Sequence, residues 1–490
     1  IPNEKCSEYC NETVEFLYKK LLDYISKYNS KILIKLLCFD LESIIYHTMI
    51  IQNTYSYNLA CYPEKSSKII NDYNMLNASS ISLRFLIELV SSVQPIGDDF
   101  IGFTDYENML SICYAIITYA YDNDLFFYNI FEKSLCLLKS GRIAFKGPND
   151  DNMVGVNLSA AQNRLDMLSN PNALYFSSFE LSKVSKEELN VAFIDEFGYT
   201  FEQFSECIFK MIEFGQSIES DIKFVEKQEL ANQISIKSNI ESEIISKILD
   251  DISLKKRENY LNPPKPFTKE DVYPWRFNRK LSFTRRPVVM IEDSVIWGNR
   301  QLYHMWCFTI DLIEEGKFKA RSKKLKTLVG KIANKRGDLF NNKVYEVLSS
   351  KKNYIVAKKV KKINKKRISK NDGNDLGDID ILVIDNRKKV IIVCEVKDFS
   401  FAKSPYEIHL EYTKLFCDNG NKSCYVSKHK ERVKWIENHI GDVIIDFRLK
   451  PGKWKVKDVL IVSNEITSNL IYHKDQKIIT YAELSKGVFF

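Results

Sequence analysis

The run Asp378-Ile379-Asp380-Ile381-Leu382-Val383-Ile384-Asp385, then Asn386-Arg387-Lys388-Lys389, then Val390-Ile391-Ile392-Val393-Cys394-Glu395-Val396-Lys397 decides how the rest of the chain is read. Both arms are rich in β-branched residues and the tetrapeptide between them is polar, which predicts an antiparallel hairpin. With Arg387 and Lys388 at the tip, Asp385 stands opposite Val390, Ile384 opposite Ile391, and Asp380 opposite Glu395. The two carboxylates then share a face with Cβ atoms about 5 Å apart. Alternation brings Lys397 to the face of Glu395 and turns Val396 away. Two carboxylates that close raise each other's proton affinity unless a cation lies between them. A divalent ion with hard oxygen ligands, Mg²⁺ or Mn²⁺, meets that need.

This order of acid, hairpin and Glu-Val-Lys resembles the PD-(D/E)xK nuclease superfamily. The resemblance covers Gly377 to Asp398 closely and about 318 to 480 loosely. It implies an α/β restriction-endonuclease-like fold with a central mixed sheet, in which Asp380, Glu395 and Lys397 are catalytic. Metal would be held by Asp380, Glu395 and the Val396 carbonyl, with Asp378 and Glu346 as further acids. The chain departs from the family in two places. No Pro precedes the Asp, and the helical Glu often found after Gly-x-x-Phe is replaced, because Gly337-Asp338-Leu339-Phe340 leads into Asn341. Glu346, about one and a half turns on, is the substitute.

Charge points the same way. The chain carries +7, yet residues 317–370 hold 20 Lys+Arg against Asp338 and Glu346, a balance of +18, so the rest sums to −11. A basic block beside an acidic metal site suits a polyanion. Lys358, Lys359, Lys361, Lys362, Lys365, Lys366 and Arg367 are the candidate nucleic-acid contacts, on a strand over 354–360 and a long basic loop over 361–375.

At 490 residues, 45% hydrophobic and 12% aromatic, the chain is long enough for several domains. It opens at Ile1 with no initiator Met, as a trimmed chain or a fragment would. Its eleven cysteines are an odd number in mostly apolar contexts, which reads as reduced thiols in a cytoplasmic protein. The longest uncharged apolar run, about Leu110 to Tyr121, is too short to cross a bilayer, so no membrane is expected. Helical periodicity dominates residues 1–260, with turn residues near Pro63, Pro95–Asp99, Gly147–Asp151 and Asn170–Asn172. This half contains no Trp, whereas all five Trp lie from Trp275 to Trp454. The expected division is a helical region at 1–260, a Pro-rich connector at 261–275, a small β-plus-helix adaptor at 276–316 and a nuclease-like domain at 317–490.

Nothing in residues 1–260 forms a phosphate loop, a nucleophile elbow or a ligand cluster, and His47 reads as a core histidine. That half is the candidate surface for a protein partner or a homo-oligomer. Arg285 and Arg286 read equally as an exposed turn or as phosphate contacts. Beyond the hairpin, helices over 405–416 and 430–439 and strands over 442–447 and 458–462 complete an alternating pattern, with His409, Lys414, His429 and Lys430 as surface or phosphate contacts. The function expected is metal-dependent hydrolysis of nucleic acid, DNA rather than RNA by the resemblance, in a restriction or defence effector. The competing expectation is a nucleic-acid-binding or assembly protein with a degenerate nuclease domain.

Overall fold

The protein is described by a computed structural model covering residues 3–130, 134–140, 143–146, 184–276, 278–370, 373–402, 404–420, 422–472 and 476–487. The turns expected at Gly147–Asp151 and Asn170–Asn172 lie outside these. The chain forms two compact units, residues 1–127 with 181–330, and 128–180 with 331–490. Helices dominate the N-terminal half and a mixed sheet the C-terminal half, the multidomain arrangement that the pattern predicts.

In the first unit, helices α1 (Asn3–Ile25), α2 (Ser30–Cys61), α3 (Ser66–Val93) and α4 (Phe103–Phe127) are followed by α5 (Lys186–Phe197) and α6 (Phe201–Gln216). Strand β3 (Ile222–Glu226), α7 (Lys227–Lys237), α8 (Ser242–Asp251), β4 (Ser253–Leu254), β5 (Val288–Ile291), β6 (Ser294–Gly298) and α9 (Asn299–Glu314) complete it. The strands form one sheet in the order β3-β6-β5-β4. Strands β1 (Ser134–Leu137) and β2 (Ile143–Lys146) pair separately, in the chain segment assigned to the second unit.

Within the stretch 276–316, expected to be β plus helix, Leu281–Thr284 is a run of turns and a bend, while β5 and β6 form a hairpin around Glu292 and Asp293. Residues 261–316 belong to this first unit. They are held by Glu88, 1% exposed on α3, which accepts from Arg279 at 2.5 and 3.0 Å and from the Phe283 N–H at 2.8 Å. The Tyr260 hydroxyl lies 3.1 Å from the same carboxylate. A second buried acid, Glu42 on α2, accepts from the first N–H groups of α9, Gln301 at 2.8 Å and Arg300 at 3.2 Å, where the helix dipole favours a negative charge. Its room comes from Gly298, where an added Cβ would stand 2.2 Å from the carboxylate oxygen.

Among the described residues, one helical stretch, Pro63–Val93, is long and apolar enough to cross a membrane, yet 61% of its apolar window is buried in the fold. That burial is what a core helix shows. His47 is exposed rather than in the core, because the apolar face of α2 is carried by Leu33, Leu37, Leu41 and Ile45 instead. All eleven cysteines are free thiols.

The 331–490 part of the second unit begins in α10 (Lys323–Ser349). Then come β7 (Tyr354–Val360), β8 (Lys362–Ile363), β9 (Lys366–Arg367), β10 (Ile379–Asp385), β11 (Val390–Lys397), α11 (Pro405–Phe416), α12 (Tyr425–Asn438), α13 (Ile440–Asp446), β12 (Lys455–Val462), α14 (Thr467–Tyr472), β13 (Ile478–Thr480) and α15 (Tyr481–Ser485). The sheet order is β13-β12-β11-β10-β7, parallel among the first three and antiparallel beyond.

The hairpin register is the expected one from Asp385–Val390 to Ile381–Cys394. One further step sets Asp380 against Glu395. Phe340, Val344 and Leu348 of α10 cluster with Ile381, Val383, Ile392 and Cys394 on one face, while Trp435 and Ile436 of α12 cluster with Ile384, Ile391 and Val393 on the other. The odd-numbered row of β11 therefore runs from Ile391 and Val393 to Glu395 and Lys397 under α12.

Two details correct the sequence reading. Residues 442–447, expected as a strand, fall in helix α13, because Val443 packs with Trp435 and Ile436 while Ile445 is 64% exposed, a helical and not an alternating pattern. The basic loop 361–375 contains the β8–β9 hairpin, pinned inward by buried Ile363 and Ile368.

Glu411 of α11 is 6% exposed, accepts from the Ser468 N–H at 2.8 Å, and is pushed up to about 7 by burial. Its folded pKa lies above the unfolded one, so it opposes folding increasingly as pH rises from about 4.5 to about 7. Glu411→Gln should raise stability at pH 8 by up to about 3 kcal/mol and leave it nearly unchanged at pH 4, as read by urea unfolding at the two pH values.

Candidate active site

Asp380, Glu395 and Lys397 meet. The Lys397 Nζ lies 2.8 Å from Asp380 Oδ2, 2.8 Å from Glu395 Oε1 and 3.2 Å from the Val396 carbonyl oxygen. Asp380 Oδ2 also accepts from the Val396 N–H at 2.8 Å, which fixes that carboxylate to the neighbouring strand. The register delivers the two acids to one row, and strand alternation delivers the lysine beside them.

Helix α12 closes the cluster from above. Tyr425, His429 and Arg432 stand at i, i+4 and i+7 and so share one face. Arg432 Nη1 donates to Glu395 Oε2 at 2.5 Å and Nε to the Leu376 carbonyl at 2.8 Å. His429, 1% exposed, holds Nδ1 3.9 Å from the same Glu395 oxygen, and the Tyr425 ring centre is 5.5 Å from the Lys397 ammonium.

Burial and then the Glu395 charge raise the Asp380 carboxyl above its ordinary range, although Lys397 pulls the other way. Burial would lower the Lys397 ammonium, but Glu395 and Asp380 outweigh it and hold its pKa above the usual lysine value. His429 is pushed down to about 4, chiefly by burial, and is neutral at pH 7. Two carboxylates thus face two cations, Lys397 and Arg432.

The donor set fits a hard divalent cation. Asp380, Glu395 and the Val396 carbonyl already surround one positive charge, the lysine ammonium, with oxygen atoms alone. No group of three or more His, Cys, Asp or Glu side chains arranged for a metal occurs among the described residues.

The other predicted residues divide. Glu346 is exposed on α10 and its charge is felt by Tyr481, so it does not join the trio. Asp378 is half-buried and acts, with Asp380, on Lys359. Lys359 is paired at 2.7 Å with Asp338 of α10. Lys358 reaches Asn342 at 3.0 Å, Lys366 pairs with Asp442 at 2.8 Å, and Arg367 pairs with Asp375. Lys361, Lys362 and Lys365 are exposed and form no ion pair with a described residue. Lys414 and Lys430 are exposed, while His409 stacks on Tyr128 at 4.4 Å and His429, expected at the surface, is buried against Glu395 because its face of α12 meets the sheet.

Sequence reading missed Arg432, although its spacing from His429 and Tyr425 on one helical face was available as a signal. It also missed Asp398, whose partner Arg336 on α10 lies 2.6 Å away.

Residues 4–469 match the family described as anti-phage protein Upx-like, and the chain belongs to that family. It is on that ground a defence protein. Comparison with curated proteins and with solved structures finds no match to the chain.

Removing Arg432 would strand the buried Glu395 charge. Arg432→Met should destabilise the protein by about 3–5 kcal/mol, and the double variant Arg432→Met with Glu395→Gln should recover much of the loss, as measured by denaturant unfolding. Equal unfolding of parent and Arg432→Met would show that the pair contributes nothing to stability.

Proposed function

We propose that the chain is a metal-dependent nuclease of the PD-(D/E)xK type, acting on phosphodiester bonds of nucleic acid, DNA in preference to RNA, in anti-phage defence. The observation that carries this reading is the convergence of Asp380, Glu395 and the Val396 carbonyl on the Lys397 ammonium. Asp380 and Glu395, with the carbonyl, would hold Mg²⁺ or Mn²⁺. When bound, the ion would offset negative charge at the phosphorus and acidify the attacking water.

The remaining work falls to the chain's own groups. Lys397, freed from its carboxylates as the site loads, would orient the water and stabilise charge that develops on the phosphoryl oxygens. Arg432 fixes Glu395 through its second oxygen, leaving the first for the metal side. Asp380 is held by the Val396 N–H. The exposed Lys361, Lys362 and Lys365 would meet the phosphate backbone, a contact that weakens as salt rises.

A second reading draws on the charge balance of the same cluster. Two acids neutralised by two cations, with Glu395 3% exposed, also suit a degenerate site that grips nucleic acid without cutting it. Plasmid nicking in Mg²⁺ or Mn²⁺ separates the two. The parent should nick, chelator should stop it, and Glu395→Ala and Lys397→Ala should each lose at least about 100-fold in rate while still binding DNA. Nicking by either variant at the parent rate would sink the assignment, and binding without nicking under any metal would favour the second reading.

A further inference from the structure

The first unit contains a cleft, open solvent included, of about 690 Å³. Its walls combine five cationic side chains, Lys280, Arg285, Arg286, Lys319 and Arg321, with only two acids, Glu196 and Asp251.

Both acids are engaged. Glu196 accepts from the Arg321 N–H at 2.9 Å, the Ser322 N–H at 2.5 Å and the Arg321 Nε at 3.2 Å. Asp251 accepts from the Tyr199 hydroxyl at 3.2 Å.

Arg286 is satisfied by protein, donating to the Lys280 and Ser253 carbonyls at 3.1 and 3.2 Å. Arg285 is not. Its Nη1 is buried with no hydrogen-bond partner among the described residues, and its guanidinium rests on the Phe318 ring at 4.7 Å. Burial and the neighbouring Arg286 push this half-buried guanidinium down to about 10, although the charges of Asp271 and Glu196 pull the other way. A buried guanidinium carries a desolvation cost that folded proteins normally offset with an anion.

The aromatic groups beside it are flat and ordered. Phe197 stacks on Tyr199 at 5.5 Å and meets Phe318 edge-on at 6.3 Å, and Phe267 lies across the cleft under Arg286 at 5.3 Å. A planar fork with free donors matches phosphate bidentately, and an aromatic wall next to it suits a base.

We propose that this cleft binds a nucleoside phosphate, with the phosphate on Arg285 and the base against the Phe197–Phe318 wall. The same chemistry is presented by a free nucleotide and by the phosphorylated end of a strand. This site uses none of the residues of the candidate active site and stands independently of the nuclease reading.

The test is calorimetric titration of the full chain, without divalent metal, with each of the four ribonucleoside 5′-triphosphates. Inorganic phosphate, adenosine and a 5′-phosphorylated tetranucleotide serve as comparisons. At least one nucleotide or the tetranucleotide should bind at least about tenfold tighter than phosphate or adenosine. A tighter tetranucleotide assigns the site to strand ends, and a tighter triphosphate to free nucleotides.

Arg285→Met should weaken that binding at least about tenfold while the free variant melts no lower than the parent, because the buried Nη1 that is lost had no hydrogen-bond partner among the described residues and the methionine keeps an apolar contact with Phe318. Phe318→Leu should weaken the nucleotide while leaving phosphate unchanged, and Lys397→Ala should bind as the parent does. Three outcomes would overturn the proposal: no phosphate-bearing probe binding better than phosphate itself, undiminished binding by Arg285→Met, or a free Arg285→Met protein that melts well below the parent.

Discussion

A lysine ammonium shared between two carboxylates is the constraint on which the C-terminal unit turns. Asp380 and Glu395 come from adjacent strands and would repel each other at that spacing. Lys397 at 2.8 Å from each, and Arg432 at 2.5 Å from the far oxygen of Glu395, make the cluster neutral. That neutrality is what lets α12 lie directly over it with Glu395 almost wholly removed from water. The same helix continues the contact with Trp435 and Ile436 over the apolar part of the β11 row, so one face of one helix serves both the core and the charged end.

Buried acids organise the first unit in a related way. Glu88 gathers Arg279, Tyr260 and the Phe283 N–H around a single carboxylate, and Glu42 caps the start of α9. In each case a segment with little regular structure, or a helix end with orphan N–H groups, is tied to a long core helix by charge-assisted hydrogen bonds, the strong class of such bonds. Arg285 stands out against this background because its Nη1 is buried with no hydrogen-bond partner among the described residues. The family match places the chain in anti-phage defence.

Legibility from sequence varied with how local the determining forces are. The hairpin, its register and the meeting of Asp380, Glu395 and Lys397 could all be read, because a period of two and a short polar turn leave few alternatives. Residues 442–447 misled because Val443, Ile444 and Ile445 favour a strand by propensity, while packing against Trp435 and Ile436 selects a helix. His47 misled in the opposite sense, since an apolar helix has an outer face too. The basic run over 358–367 was visible as charge, yet among the described residues only Lys361, Lys362 and Lys365 of its seven cations form no ion pair or side-chain hydrogen bond. Ion pairs with Asp338, Asp375 and Asp442 join residues far apart in the chain or across a turn, and spacing alone does not reveal them.

The sequence by itself determined the central hairpin and the three polar residues at its end, because each follows from alternation along a strand and from neighbours close in the chain, while the mixed sheet around them was what the family resemblance implied. Only the tertiary structure decided that Arg432 and His429 cover those residues, that Glu346 does not join them, and that Arg285 lines an aromatic cleft. Those outcomes depend on which helix face meets the sheet and which loops fold together, and burial and charge over long sequence separations set both.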